Sequence, residues 1–202
     1  MKIYDAPMAP NPRKVRMFLV EKGIDMEYVP VDITKAESRG EEFRAKINRM
    51  GRVPVLELDD GTHISESLAI CRYFEALQPD PPLMGRDAKE QGLIAMWDRR
   101  MDNNVISKVA GCFQHTHPFF SDRMTQFTDY GEQSRNEALE AFAMLDEVLS
   151  DRQFIAGDSF TLADITAFCG VAFARVIKLK PADAQKNLVR WFAEVSARPS
   201  AA

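Results

Sequence analysis

The sequence predicts two domains, a small mixed α/β domain followed by an all-helical bundle, and three observations predict it. Apolar patterning up to Leu77 alternates between strand and helix periods in the order β-α-β-α-β-β-α. A proline-rich stretch, Leu77–Arg86 (LQPDPPLMGR), then stops the helical pattern. From Asp87 onward strand signals are nearly absent and the apolar period is helical. The expected boundaries are residues 1–77 for the α/β domain, 78–86 for a linker and 87–202 for the helical domain.

Lys2-Ile3-Tyr4 is a short strand, and Ala6–Pro10 is a proline-rich turn. Asn11 suits a helix N-cap and Pro12 the first helical position, while Val15, Phe18, Leu19 and Lys22 form one face that ends at Gly23. Asp25–Val31 alternates as a second strand, and Glu41–Ile47 reads as a short helix. Two strands joined through a helix pair parallel by a right-handed crossover. Val55–Ile64 is a hairpin around Asp60-Gly61, which adds an antiparallel edge. From Ser65, read as an N-cap, Ile70, Tyr73, Phe74 and Leu77 recur at helical spacing. Ile94, Trp97, Met101 and Val105 fit one long helix, and Ala138, Phe142, Leu145 and Leu149 fit another. Thr161 and Asp164 form a capping-box pattern ahead of an apolar helix through Val176, and Asp183–Ser196 is the last helix.

Composition narrows the function. A net charge of −4 and a pI near 5.5 favour neither a nucleic acid nor an anionic membrane as partner. No apolar run reaches the length of a membrane span and the N-terminus lacks a signal-peptide core, so the expected location is cytoplasmic. Cys71, Cys112 and Cys169 form neither a CxxC nor a disulfide framework and are expected as buried small hydrophobes. His63, His115 and His117 lack metal-ligand spacing, so no metal site is expected.

The chemistry concentrates in Val53–Phe74, VPVLELDDGTHISESLAICRYF. Ser65-Glu66-Ser67 brings two hydroxyls, a carboxylate and the free N–H groups of a helix start together. Such a group can hold a carboxylate on the N–H groups and an ammonium on Glu66, which suits a zwitterionic amino-acid head. Pro54 precedes a strand; X-Pro bonds in folded proteins are cis in only about 5–6% of cases, so composition alone favours trans there.

Arg52-Val53-Pro54-Val55-Leu56, Ile64–Ile70 (ISESLAI) and Phe160–Asp164 (FTLAD), in this order around a proline-rich linker, resemble the cytosolic glutathione transferases over essentially the whole chain. The resemblance implies an α/β thioredoxin-like N-terminal domain with a mixed sheet and an all-α C-terminal bundle. It implies glutathione as co-substrate, no tightly bound cofactor, a homodimer through the third and fourth helices, and detoxifying attack of the glutathione thiolate on a small hydrophobic electrophile. Val53, before a proline that is cis in the family, matches the residue whose main chain pairs with the cysteinyl part. Glu66 and Ser67 match the pair that holds the γ-glutamyl head, and Arg52 stands near the glycyl carboxylate. Thr161 and Asp164 match a cap used for folding.

The thiol-activating position departs from the family's Tyr, Ser and Cys patterns. Ala9 stands where serine branches carry the hydroxyl, Tyr4 is mid-strand and Tyr28 lies on the second strand. Asn11 is the candidate catalytic residue: as an N-cap its oxygen accepts from the N–H of Arg13 or Lys14, leaving its NH2 to donate to a thiolate. Arg13, Lys14 and Arg16 add positive charge that lowers a thiol pKa. A similar bacterial branch carries Asn here and reduces disulfides, so glutathione-dependent disulfide reduction is one alternative, and a non-enzymatic binding module is another. Met8, Val105, Phe113, His115 and Phe119 are the expected electrophile-pocket residues.

Overall fold

The computed structural model describes Met1–Ala202 and divides into two compact units, Met1–Leu83 and Met84–Ala202. The first runs β1 (Lys2–Asp5), α1 (Pro10–Lys22), β2 (Glu27–Pro30), α2 (Glu41–Lys46), β3 (Val55–Glu57), β4 (His63–Ser65) and α3 (Ser67–Leu77). Two short 3-10 turns, Ile33–Lys35 and Glu37–Arg39, precede α2. The sheet order is β2-β1-β3-β4, with β1 and β2 parallel and β3 antiparallel to both β1 and β4. This is the mixed sheet the sequence predicts.

Alternation decides the two faces of β1. Ile3 and Asp5 are buried while Lys2 and Tyr4 are half-buried. Tyr4 packs with Val31, Phe43, Val55, Ile47 and Val53 in one cluster. Val15, Phe18 and Leu19 of α1 and Ile70, Cys71 and Phe74 of α3 are fully or almost fully buried, each contributing roughly 1.5–3 kcal/mol where the side chain is a large hydrophobe. Gly23 closes α1 in the left-handed region, φ 66°, as its sequence position predicts.

Four local expectations are corrected. Helix α1 begins at Pro10 with Ala9 as N-cap, and Asn11 is the second helical residue. Pro10, like Pro12, needs no N–H partner in the first turn, so the helix can start one proline earlier. Ser65 is the last residue of β4, held there by pairing with Val55, and Glu66 takes the cap position of α3 with φ 70°. The hairpin loop is longer than two residues: the Leu58 N–H bonds Thr62 O, and Asp60 Oδ1 accepts from the Thr62 N–H around Gly61. Lys22, placed on the apolar face of α1, is a buried cation. Its ammonium donates to the carbonyls of Gln78, Pro79 and Pro81 at 2.8, 3.1 and 2.5 Å and pairs with Glu75 at 2.5 Å.

The second unit holds α4 (Ala88–Met101), α5 (Ser107–Thr116), α6 (Thr128–Val148), α7 (Leu162–Phe173) and α8 (Lys186–Ser196). The predicted single helix through Val105 is interrupted by a π turn at Asp102–Ile106. The wider turn brings both Val105 and Ile106 against α7, where a Cβ on Gly170 would lie 2.7 Å from Val105 Cγ1. Every residue of Thr161–Gly170 is buried, so α7 is the axis of this unit. Its buried polar groups are paired: Thr166 donates to Asp98 at 2.5 Å. The capping box at Thr161 and Asp164 forms as predicted. Helix α8 begins at Lys186 because Asp146 of α6 accepts from the N–H groups of Asn187 and Leu188, both at 2.9 Å. No helix is long and apolar enough to cross a membrane, and the three cysteines are free and buried.

Candidate functional site

Strand register brings the sequence-predicted residues of the first unit to one end of the sheet. Tyr4 pairs with Val55, and Val55 pairs with Ser65. The chain therefore leaves β1 toward Ala6–Asn11, enters β3 from Val53-Pro54, and leaves β4 toward Glu66-Ser67 at the same edge. Helices α1 and α3 both begin there, so their N-terminal N–H groups and positive dipole ends favour an anion. The Val53-Pro54 bond is cis. Glu66 is exposed, Ser67 is buried, and Val53 is half-buried between the exposed Arg52 and the buried Pro54. Asn48 Nδ2 donates to Arg52 O at 2.9 Å, fixing the chain before the cis bond.

Asn11 and Ser67 meet across α1 and α3. The Ser67 hydroxyl donates to Asn11 Oδ1 over 3.5 Å, a long contact for an O–H donor. The Asn11 oxygen thus faces α3 instead of capping its own helix, while its amide N–H group is left to donate. The main-chain donors of this turn are few. Pro10 and Pro12 have no N–H, and the Arg13 N–H bonds Ala9 O at 3.2 Å, which leaves the Asn11 N–H. Of the three expected cations, Lys14 is buried and Arg16 pairs with Asp5 at 2.6 Å, so neither is a free charge beside a thiol. Tyr4 donates its hydroxyl to Glu57 at 2.7 Å; burial first, then that carboxylate, push its phenol above the ordinary value.

The electrophile-pocket candidates separate. Met8 lies on the turn after β1 and is 76% exposed. Val105 is fully buried against α7 and is a core residue, because the π turn rotates it inward. Phe113 of α5 is half-buried, stacked with Phe119 at 6.5 Å and edge-on to Phe120 and Phe173 at 5.1 and 5.7 Å. The Arg123 guanidinium covers Phe119 at 3.9 Å. His115 Nδ1 accepts from the Phe127 N–H at 3.0 Å, and its ring stands edge-on to Tyr130. Phe120, Phe173 and Arg123 were not among the sequence candidates. The adjacent phenylalanines Phe119-Phe120 were a usable signal; the contact with Phe173 spans two distant helices and was not.

Comparison with known proteins agrees with the fold of both units. The model of the glutathione S-transferase N-terminal domain matches residues 3–82, and that of the C-terminal domain matches residues 110–199. Glutathione S-transferase 2 of Saccharomyces cerevisiae is 38% identical over 204 residues, covering 99% of this chain and 87% of that protein. The chain belongs to the glutathione transferase family. The crystal structure of yeast Gtt2 superposes on this transferase with a TM-score of 0.95 at 38% identity, covering 100% of this chain and 98% of that one. A glutathione S-transferase domain-containing protein of Marinobacter aquaeolei gives a TM-score of 0.95 at 41% identity over the whole of both chains. At the start of α1 this transferase carries Ala9 as N-cap and Asn11 as the second helical residue.

Proposed function

We propose that this glutathione transferase binds glutathione at the shared end of β1, β3 and β4 and directs its thiolate at a small hydrophobic electrophile. Glu66 and Ser67 hold the γ-glutamyl head, the main chain at Val53-Pro54 pairs with the cysteinyl part, and Arg52 faces the glycyl carboxylate. The Asn11 amide donates to the sulfur and favours its ionised form. The thiolate forms the new bond to the electrophilic carbon as that carbon's leaving group departs. Within the helical unit, the clustered rings of Phe113 and Phe119 are the aromatic surface suited to a small hydrophobic electrophile.

The observation that carries this reading is the strand register that lines up Tyr4, Val55 and Ser65, together with the Asn11–Ser67 contact at that end. A homodimer and a cytoplasmic location belong to the same reading. Leu93 and Met96 are exposed apolar side chains on α4 that an interface would cover, and a monomeric mass in sedimentation contradicts the dimer. The deciding test compares glutathione conjugation of an activated aryl chloride with reduction of a small disulfide. Conjugation exceeding disulfide reduction supports the transferase reaction. The reverse assigns this site to disulfide reduction, and glutathione binding without turnover of either substrate assigns it to binding alone.

A further inference from the structure

The turn that carries Met8 and Ala9 into α1 has little backbone bonding of its own. Pro7 and Pro10 donate nothing, and the Ala9 N–H bonds Ala6 O at 2.9 Å. What holds it is a side chain about two helical turns further on. Arg16 Nη1 donates to Asp5 Oδ2 at 2.6 Å and Nη2 donates to Pro7 O at 2.8 Å. One guanidinium therefore ties the last residue of β1, the turn and α1 together. The Asp5 carboxylate is 5% exposed, and its second oxygen, Oδ1, is buried without a hydrogen-bond partner. The cation that Arg16 supplies is thus the compensation for a buried charge, which fixes the fork in place. Tyr28 of β2 borders the pair: burial, then the Asp5 charge, raise its phenol and Arg16 opposes them.

We propose that Arg16 is a positioning residue for thiol activation, its fork between Asp5 and Pro7 setting the turn and first helical residues so that Asn11 faces the glutathione sulfur. This rests on the reading of Asn11 given above. A flexible turn would leave Asn11 on a helix start free to shift, and a donor displaced by even an ångström loses most of its preference for the thiolate. Lysine in place of Arg16 keeps a charge beside Asp5 but cannot fork to Pro7 as well.

The test measures the bound-thiol pKa by ultraviolet thiolate absorbance, together with glutathione affinity, in wild type, Arg16→Lys, Asn11→Ala and the double variant. The expected result for Arg16→Lys is a thiolate fraction at acidic pH lowered by about 3-fold or more, with glutathione affinity changed by less than about 2-fold. In the Asn11→Ala background the same change adds nothing further, because both act through one group. Losses that multiply in the double variant, or an unchanged thiol pKa in Arg16→Lys beside an altered one in Asn11→Ala, overturn the positioning role and leave the Asn11 reading intact. An unchanged Asn11→Ala with a raised pKa in Arg16→Lys overturns the side-chain reading and retains the clamp, acting through the Asn11 N–H. Both variants unchanged overturn both. If Arg16→Lys does not fold, Asp5→Asn reads the clamp from its other side: a raised bound-thiol pKa supports it and an unchanged one overturns it.

Discussion

The indole N–H of Trp191 donates to the buried carboxylate of Asp164 at 2.9 Å, joining α8 to the first turn of α7. The same carboxylate accepts from the N–H groups of Ile155 at 2.9 Å and Thr161 at 3.0 Å, and from the Thr161 hydroxyl at 3.1 Å. Burial raises its pKa to about 6 against those donors, which pull it down. A carboxyl with a raised native pKa binds more protons folded than unfolded between its unfolded value and about 6, so stability falls as pH rises through that window. Lowering the pH from about 7.5 to about 5 should add roughly 1.4 kcal/mol from this group, measured by urea unfolding. Asp164→Asn removes that component. It also turns an NH2 toward the Thr161 N–H, so it should cost about 1–3 kcal/mol, with the larger loss at the lower pH. An Asp164→Asn cost that is the same at both pH values contradicts this account.

The cap at Thr161 and Asp164 was legible in the sequence because its partners lie three residues apart, within one helical turn. The sheet was legible for the same kind of reason: a glycine-marked turn, two short alternating runs and a helix crossover fix the pairing without knowledge of the rest. Helix starts were less so. Asn11 and Ser65 both suit a cap by residue type, yet strand pairing keeps Ser65 in β4, and an earlier proline opens α1. Least legible were the roles of Lys22 and Arg16. Their partners are carbonyls and two carboxylates made available only by the fold, Gln78 O lying 56 residues from Lys22 in the chain. Val105 was misassigned because helical spacing cannot foresee a π turn that rotates it into the core.

Lys22→Met should be among the most damaging single changes in the N-terminal unit. It removes the donor shared by the carbonyls of Gln78, Pro79 and Pro81 and leaves Glu75, its side chain 15% exposed, without this cation. Breaking a buried pair from one side costs about 3–5 kcal/mol. Thermal unfolding of Lys22→Met checks it, and the companion Glu75→Gln should lose less, since the ammonium keeps its three carbonyl acceptors. Equal losses would mean that the ion pair, and not the carbonyl cage, holds the segment after α3.

Asp146→Ala should destabilise the helical unit by about 1–2 kcal/mol, the cost of a lost cap. Asp146 Oδ1 serves the second and third N–H groups of α8 from a neighbouring helix, and the Asn187 side chain bonds back to Asp146 O at 3.1 Å. Asp146→Asn keeps an oxygen for both donors and should recover most of the loss, apart from the interaction of the charge with the helix dipole. Urea midpoints at low and high salt separate the two, because the dipole part is screened and the hydrogen bonds are not.

Ser67 offers the most direct separation of glutathione binding from thiol activation. In the unliganded chain its hydroxyl donates to Asn11 Oδ1, whereas the reading proposed here also uses it for the γ-glutamyl head. Ser67→Ala removes both interactions, so glutathione affinity should fall by about 10-fold, the worth of a hydrogen bond to a charged group. Asn11→Ala removes the amide on the sulfur side and the long contact with Ser67, but leaves the Ser67 hydroxyl in place for the γ-glutamyl head. It should leave affinity within about 2-fold while lowering conjugation at acidic pH, where the thiolate fraction limits the rate, by about 10-fold. At alkaline pH, where free glutathione ionises unaided, the Asn11→Ala defect should shrink while the Ser67→Ala defect persists at subsaturating glutathione. Affinity by calorimetry and pH profiles of kcat and kcat/KM check both. Parallel profiles for the two variants would show that Asn11 contributes to holding glutathione instead of ionising it.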